Sequence, residues 1–555
     1  MRRIFILLLG VIFLTGCGSK GAVEGQEEES GYKSVTLFCD VEFWGAPLWD
    51  ISEDSISGEI SKKTGAVIEV IDKMEDADKQ LSIMLANDNL PDVISVTDGT
   101  VMNQLITSGK VWNLEEFLKK YKPDSHLLKD FPEDIRYELE KRDGGWFAYP
   151  SHMSSPDNRK KWKPDEYYRQ ETEFSWNLVI MWNKELLQEL DLNVQELGKE
   201  TQVLKALEKA RKAGISEGKE IVPLLVDGEF FQQHTLHFLA RSFGAEDIDE
   251  NGNYIDYFLQ PEMKTALAFL NTAMRNGYMT PDQLVYKNSR VKQLLNDEKV
   301  LCFIGNMSNT GASPSLWESS GAVFSETGEI PIYMQNLRRT TGWINTFISK
   351  DCESPKTVAK LLDYMTSDAG QRRWVYGTEG IHYTMDENRK IEVTEDGTQA
   401  QADYIQSGVN VWWMFFNLDW SRSVVKAPDR FSENAMNNNI ACAYARSSGV
   451  RSCDGTALQY LNEGYKLDEE YEQLEAEIEK WKEEQIKLVI LAETEEKFES
   501  EYKNLVQGLI DRRVERLDDK KNEEYQKNCE EYNVHIEKVN KHEEITADNF
   551  EESAR

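Results

Sequence analysis

Apolar and polar positions follow two periods along the first hundred residues. Ser34 to Val41 reads Ser-Val-Thr-Leu-Phe-Cys-Asp-Val, rich in β-branched and aromatic residues, and predicts a first strand. Ile51 to Lys63 has helical spacing and meets Gly65 where a helix would close. Ala66 to Ile71 predicts a second strand. Asp78 to Ala86 predicts a helix with Leu81, Met84 and Leu85 on one face, and Val93 to Val96 a short buried strand after the turn Asn87 to Asp92. Strands alternating with helices imply βαβ units and a mostly parallel sheet, so the fold class is α/β.

The same periods continue further on. Asp143-Gly144-Gly145 predicts a tight turn before the β-like Trp146 to Tyr149, and Leu178 to Trp182 a strand followed by the helix Lys184 to Leu190. Pro261 to Asn276 is amphipathic, with Met263, Leu267, Leu270 and Met274 in register, and Pro355 to Ser367 is a similar helix. The tail differs. From Lys466 to Arg555 it holds 15 basic and 28 acidic residues. Tyr471, Leu474, Ile478 and Trp481 share one helical face, and Phe498, Tyr502, Leu505, Leu509 and Val514 another, which predicts two long amphipathic helices with charged backs.

The first residues predict where the chain works. Arg2 and Arg3 precede an apolar run from Ile4 to Leu14, too short for the roughly 20 residues that a spanning helix needs and suited to a signal peptide. The run ends in Leu14-Thr15-Gly16-Cys17, which resembles the lipobox of bacterial lipoproteins, where cleavage leaves a lipidated cysteine, here Cys17. Residues 18 to 33 lack apolar periodicity and read as a flexible tether. No later segment approaches spanning length, so the expected location is the outer face of the cell membrane, held by lipid.

Composition narrows the partners. The 555 residues carry 64 Lys and Arg against 98 Asp and Glu, a net charge of −34. Binding of nucleic acid is driven by counterion release onto Lys and Arg, so nucleic acid is excluded as a partner. The 14 Trp, 22 Tyr and 22 Phe argue for packed cores rather than an acidic disordered chain. Beyond Cys17 the cysteines are Cys39, Cys302, Cys352, Cys442, Cys453 and Cys529, with no paired CxxC spacing for zinc. Cys442 and Cys453 read either as a short-loop disulfide or as buried thiols.

Several ordered stretches resemble a known family. Leu81 to Ile94, with Asn-Asp-Asn-Leu-Pro91-Asp92 at its centre, looks like the segment of extracellular solute-binding lipoproteins where a helix gives way to a sheet strand near the cleft. Gly109 to Phe117, Asp143 to Pro150, Leu178 to Leu187, and Phe347 onward to Gly377-Thr-Glu-Gly-Ile-His-Tyr383 follow in the family's order. The chain thus resembles the family 1, sugar-binding branch, which is maltose-binding-protein-like. The resemblance implies a type II two-lobed fold with discontinuous lobes and hinge crossings. It also implies capture of a carbohydrate, expected to be an oligosaccharide, for ABC permease subunits, with no catalysis, no cofactor and no metal, as a monomer anchored to the membrane by its lipid.

The expected plan is a signal peptide over 1–16, a lipidated Cys and tether over 17–33 and lobe 1 over 34–150. Lobe 2 follows over 151–337, a return to lobe 1 over 338–390, lobe 2 or cleft-associated helices over 391–465, and acidic C-terminal helices over 466–555. A sugar site needs partly exposed aromatics beside carboxylates and amides, and open α/β sheets bind ligands at the carboxyl ends of their strands. The loop after the first strand therefore offers Asp40, Glu42, Phe43, Trp44 and Trp49 as candidates. Trp176 stands at the entry to lobe 2, Trp343 before the returning strand, and Trp412 with Trp413 in a later aromatic cluster.

Other features read as structure. Glu379 and His382 are expected to hold their loop, and Asp92 to cap a turn. Asp247-x-Asp249-x-Asn251-Gly252 begins like a calcium loop but has Phe258 where an EF-hand needs a bidentate Glu, so a β-turn is expected. His234 and His237 share a helical face without a third ligand. Arg338-Arg339 and Arg372-Arg373 would suit uronate or sulfate groups, or a solvated surface. Two alternatives stay open here: a lipid-anchored glycan-processing enzyme, which would need two carboxylates flanking the scissile bond, and a glycan-adhesion protein without an importer.

Overall fold

The first strand, Lys33–Cys39 (β1), lies parallel to Ala66–Val70 (β2) on one side and Val93–Val96 (β3) on the other, as the βαβ spacing predicts. The structure is a computed structural model that describes residues 31–541, apart from 75, 219, 336–340, 429–431 and 464–466. The expected signal peptide, Cys17, nearly all of the tether, Arg338 and Arg339 lie outside the described residues. The helix Ile56–Thr64 joins β1 to β2. Ser55 caps its first turn by accepting from the Gly58 N–H, and the chain turns left-handed at Gly65.

Two compact units form, one from Met1–Met153 with Thr341–Leu418, the other from Ser154–Thr340 with Asp419–Arg555, so the chain passes between them three times. Residues 391–418, part of the stretch expected as lobe 2 or cleft-associated helices, cluster in unit 1. Hydrogen bonds explain the difference: Trp44 Nε1 donates to Val411 O at 2.7 Å, Tyr149 Oη to Phe415 O at 3.3 Å and His152 N–H to Phe416 O at 2.6 Å.

The unit 1 sheet runs β2, β1, β3, then Asn345–Ile348 and Tyr149–Pro150. Asn345–Ile348 is antiparallel to both its neighbours, because the chain delivers it on its return from unit 2. Tyr149–Pro150 is therefore parallel to β1 and β3, and its carboxyl end lies at the same sheet edge as theirs. Gly342 stands just before the returning strand with φ 75°, and an added Cβ there would come within 1.4 Å of Ser151 O. Only glycine fits that approach.

In unit 2 the sheet order is Val222–Val226, Val300–Asn306, Leu178–Asn183, Trp317–Glu318. Only the first two run parallel, so the sheet is mixed where a mostly parallel one was expected. The helix rule holds between Val222–Val226 and Val300–Asn306, which helices such as Pro261–Arg275 connect; Leu178–Asn183 reaches the sheet from the interunit crossing.

Among the described residues the acidic tail forms three helices where two were expected: Glu469–Ile490, Glu495–Asp511 and Val514–Tyr532. Arg513, left-handed at φ 58°, breaks the stretch that had read as one helix through Val514. The tail belongs to the core of unit 2. Ile478, Ile486, Val489, Phe498, Leu505 and Leu509 are buried with Met263, Leu267 and Leu270 in one cluster. Asn271 Nδ2, buried, donates to Val489 O, Ile490 O and Ala492 O at 3.3, 3.0 and 2.7 Å, covering carbonyls that the end of a helix leaves unpaired. Lys482 is buried against Asp256 and Glu479. Among the described residues no helix is long and apolar enough to cross a membrane. Cys442 and Cys453 are both free thiols, Cys442 donating to Asn438.

Candidate binding site

The carboxyl ends of β1, β3 and Tyr149–Pro150 bring Asp40, Thr97 and His152 to one edge of the unit 1 sheet, beside the start of the returning strand and Trp343. Asp40 is the fixed acid of this edge. Its Oδ2 accepts from Thr97 N–H at 2.6 Å and Thr97 Oγ at 3.0 Å, while Oδ1 is buried with no hydrogen-bond partner. Burial pushes its carboxyl up to about 6. A buried oxygen without a partner is costly unless something else supplies a donor.

Aromatic rings line the same edge. Phe43 stacks on Trp343 at 6.3 Å and 20°, and contacts Trp413 at 6.1 Å. Tyr404 adds a ring 5.1 Å from Trp413, and His152 sits 5.8 Å from Trp343 and 4.9 Å from Phe416. Trp343 is 41% exposed, unusual for so large a ring, and Phe43 and Trp413 are half-buried. His152 adopts φ 54°, a conformation that non-glycine residues rarely take and that concentrates at ligand sites. Burial lowers the pKa of its imidazole to about 4, so the ring is neutral at pH 7.

The remaining expected site residues divide. Glu42 is exposed, with its carbonyl held by Lys73 Nζ at 2.9 Å. Trp44, 6% exposed, and Trp412, 1% exposed, are buried residues whose rings pack 6.1 Å apart. Trp49 is half-buried, edge-on to Trp412 at 5.7 Å, with Nε1 donating to Ser61 Oγ. Trp412 and Trp413 thus serve opposite sides of the chain, one the core and one the platform. On the Trp412 side a cavity of about 190 Å³ is lined by Leu48, Asp50, Ser55 and His382 among others.

Trp176 lies in unit 2, half-buried and packed edge-on to Tyr444 at 4.8 Å beside Phe238. The residues read as structural behave so. His382 Nδ1 accepts from Thr378 N–H, and Asp92 accepts from Thr36 N–H and Oγ. Arg373 pairs with Glu59 at 2.9 Å and Arg372 with Asp368 at 3.0 Å. Asp249 closes its turn by accepting from the Asn251 and Asn253 N–H groups. Among the described residues no three His, Cys, Asp or Glu side chains gather as a metal site.

The family model for bacterial extracellular solute-binding proteins matches residues 59–372, more than half of the chain. The chain belongs to this family. Solved structures show the same architecture. The substrate-binding protein FusA of an ABC transporter from Streptococcus pneumoniae, in complex with kestose, superposes with a TM-score of 0.65 at 17% identity, over 90% of this chain and 100% of that one. A human-milk-oligosaccharide (HMO)-binding, ABC-transporter-associated solute-binding protein from Bifidobacterium longum infantis gives 0.57 at 14%, over 89% and 99%. The N-glycan transport protein NgtS from Streptococcus pneumoniae, in complex with Man1GlcNAc, gives 0.56 at 13%, over 90% and 99%. Among curated proteins no sequence matches this one. The fold is thus the α/β two-lobed fold of solute-binding proteins, with helices added at the C-terminus. Of the platform residues in this solute-binding protein, Trp343 falls inside the family match, while Asp40 and Phe43 precede it and Trp413 follows it.

Sequence reasoning missed His152 and Tyr404, whereas Phe43 stands among the candidates of the loop after the first strand. His152 carries no spacing signal, since its role comes from the crossing at Met153.

Proposed function

We propose that this solute-binding protein captures a carbohydrate, an oligosaccharide, and hands it to the permease of an ABC importer without altering it. The observation that carries this reading is the half-exposed platform of Phe43, Trp343 and Trp413 beside Asp40 Oδ1, a buried acceptor with no donor. Sugars offer CH faces to such rings and hydroxyl donors to such an oxygen, the mix of apolar wall and few polar groups that small-ligand sites use. Kestose and Man1GlcNAc, bound by the similar proteins named above, support an oligosaccharide ligand.

Capture works by closure in this proposal. A ligand that touches both lobes only when they are closed shifts the open–closed equilibrium by its differential affinity for the two forms. In this reading the passages of the chain between the units act as the hinge. Anchoring through a lipidated Cys17 keeps the protein at the outer face of the membrane, next to the importer. A thermal-shift screen over neutral and acidic oligosaccharides tests the reading. A binder at 100 times its Kd adds roughly 2.7 kcal/mol of stability, a clear rise in melting temperature. No rise with any sugar of the panel contradicts it.

A further inference from the structure

In unit 2 the parallel strands Val222–Val226 and Val300–Asn306 end side by side, and the chain then forms a constellation that the platform in unit 1 does not include. Asp227 follows the first strand directly. Its Oδ2 accepts from the Asn306 N–H at 2.8 Å, so the carboxylate is pinned to the end of the second strand. The same oxygen meets His234 Nδ1 at 2.5 Å. A carboxylate only accepts, so Nδ1 carries the proton and Nε2 faces away from Asp227.

The backbone that places His234 is unusual. Residues Gln232–Leu236 form a π-helical turn, with the Leu236 N–H donating to Phe231 O five residues back. Such turns are rare and recur at functional sites. Thr235 locks this one to the sheet, accepting from Asp227 N–H at 3.1 Å and donating to Ile304 O at 2.6 Å. His234 is thereby turned to the strand ends, with its side chain 18% exposed. Its Nε2 has no hydrogen-bond partner among the described residues. Phe230 lies 5.7 Å from its ring, and Glu229 leaves one buried carboxylate oxygen without a partner. His237, one turn on, bonds Tyr257 Oη through its Nδ1 at 2.6 Å and packs edge-on against Trp176 and Tyr257.

We infer that His234, aimed by Asp227, is a ligand-contacting residue that unit 2 contributes, its Nε2 bonding a sugar hydroxyl while Phe230 covers a CH face of the same sugar. The inference rests on the carbohydrate reading above. It places a ligand contact in unit 2, at the carboxyl ends of parallel strands, where open α/β sheets bind their ligands.

Two substitutions separate aiming from contact. The amide nitrogen of Asn lies where Nδ1 does, so His234→Asn keeps a bond to Asp227 and loses Nε2. The Gln amide reaches the Nε2 position, so His234→Gln keeps the ligand bond. The probe is kestose or, if kestose gives no thermal shift, whichever of maltotriose, laminaribiose and Man1GlcNAc raises the melting temperature most. Calorimetry on the whole mature chain is expected to show His234→Asn about tenfold weaker, the size of one hydrogen bond, and His234→Gln within threefold of the parent. Melting temperatures without sugar are expected to be unchanged.

If His234→Asn binds like the parent while Trp343→Ala is weakened, this inference falls and the carbohydrate reading stands. If the parent binds no sugar of the panel, both fall. Should His234→Asn fail to fold, nitrogen-15 spectra of the parent decide: the sugar is expected to move the His234 Nε2 resonance, and an unmoved resonance overturns the inference.

Discussion

Trp343→Ala removes the most exposed ring of the unit 1 platform, and the size of its effect follows from exposure. A Trp presents on the order of 250 Å² of surface. With 41% exposed, about 100 Å² is open to a ligand. At about 25 cal/mol per Å², covering that area contributes up to about 2.5 kcal/mol, or about 70-fold in Kd. Phe43 and Trp413 remain in the variant and recover part of the contact, so the expected loss is about 10- to 70-fold. The ring supports little else: its neighbours are Phe43 and His152, and losing such ring pairs costs about 1 kcal/mol. Calorimetry with the sugar that gives the largest thermal shift measures the affinity, and a melt without sugar checks the fold. Affinity within threefold of the parent, with the fold intact, would refute the platform as the sugar-stacking surface.

Three further outcomes are expected. The Asp40 carboxyl is raised by burial from 3.8 to about 6, so the folded state holds its proton more tightly; that stability is fully present below about pH 4 and is lost as pH rises through about 6. Asp40→Asn is therefore expected to raise the sugar-free melting temperature at pH 7.5 while weakening sugar binding about tenfold, and a lower melting temperature would count against the buried acid. Asn271→Leu strands the carbonyls of Ile490 and Ala492, while Val489 O keeps the Ala492 N–H, at about 1–3 kcal/mol in all, and hydrogen exchange is expected to quicken across Glu469–Ile490; unchanged protection would mean that the cap is dispensable. Burial, then Asp256, pushes Asp518 from 3.8 up to about 8, so unit 2 is expected to lose stability in urea as pH rises from about 4 to about 8. Asp518→Asn should flatten that slope, and a parallel slope in both proteins would contradict the assignment.

Local signals made much of the frame legible. β1, the helix ending at Gly65 and the helix opening at Pro355 each carry their period within a dozen residues, with Gly65 closing the first helix and Pro355 opening the second. What escaped depends on contacts distant along the chain. Residues 391–418 belong to unit 1 because Trp44, Tyr149 and His152 bond to their carbonyls, across more than 260 positions. The tail breaks at Arg513 because the backbone turns left-handed there, although the apolar spacing runs on.

The site was half legible for a similar reason. Composition proposes every tryptophan near a strand end, but not which side of the backbone each serves. Trp412 and Trp413 are adjacent and part company, one in the core and the other on the platform. His234 read as an incomplete metal ligand, because a zinc site needs ligands at known spacing, whereas its partner Asp227 requires only a π-helical turn to bring it within reach.

The central claim is that this protein binds an oligosaccharide and leaves it unchanged. Calorimetric titration of the mature chain with the best sugar of the thermal-shift panel, followed by mass analysis of the sugar recovered from the cell, tests it most directly. The account predicts one saturable site per chain, a Kd of micromolar or below and sugar of unaltered mass. Titration without heat, or recovery of shortened products, would contradict it.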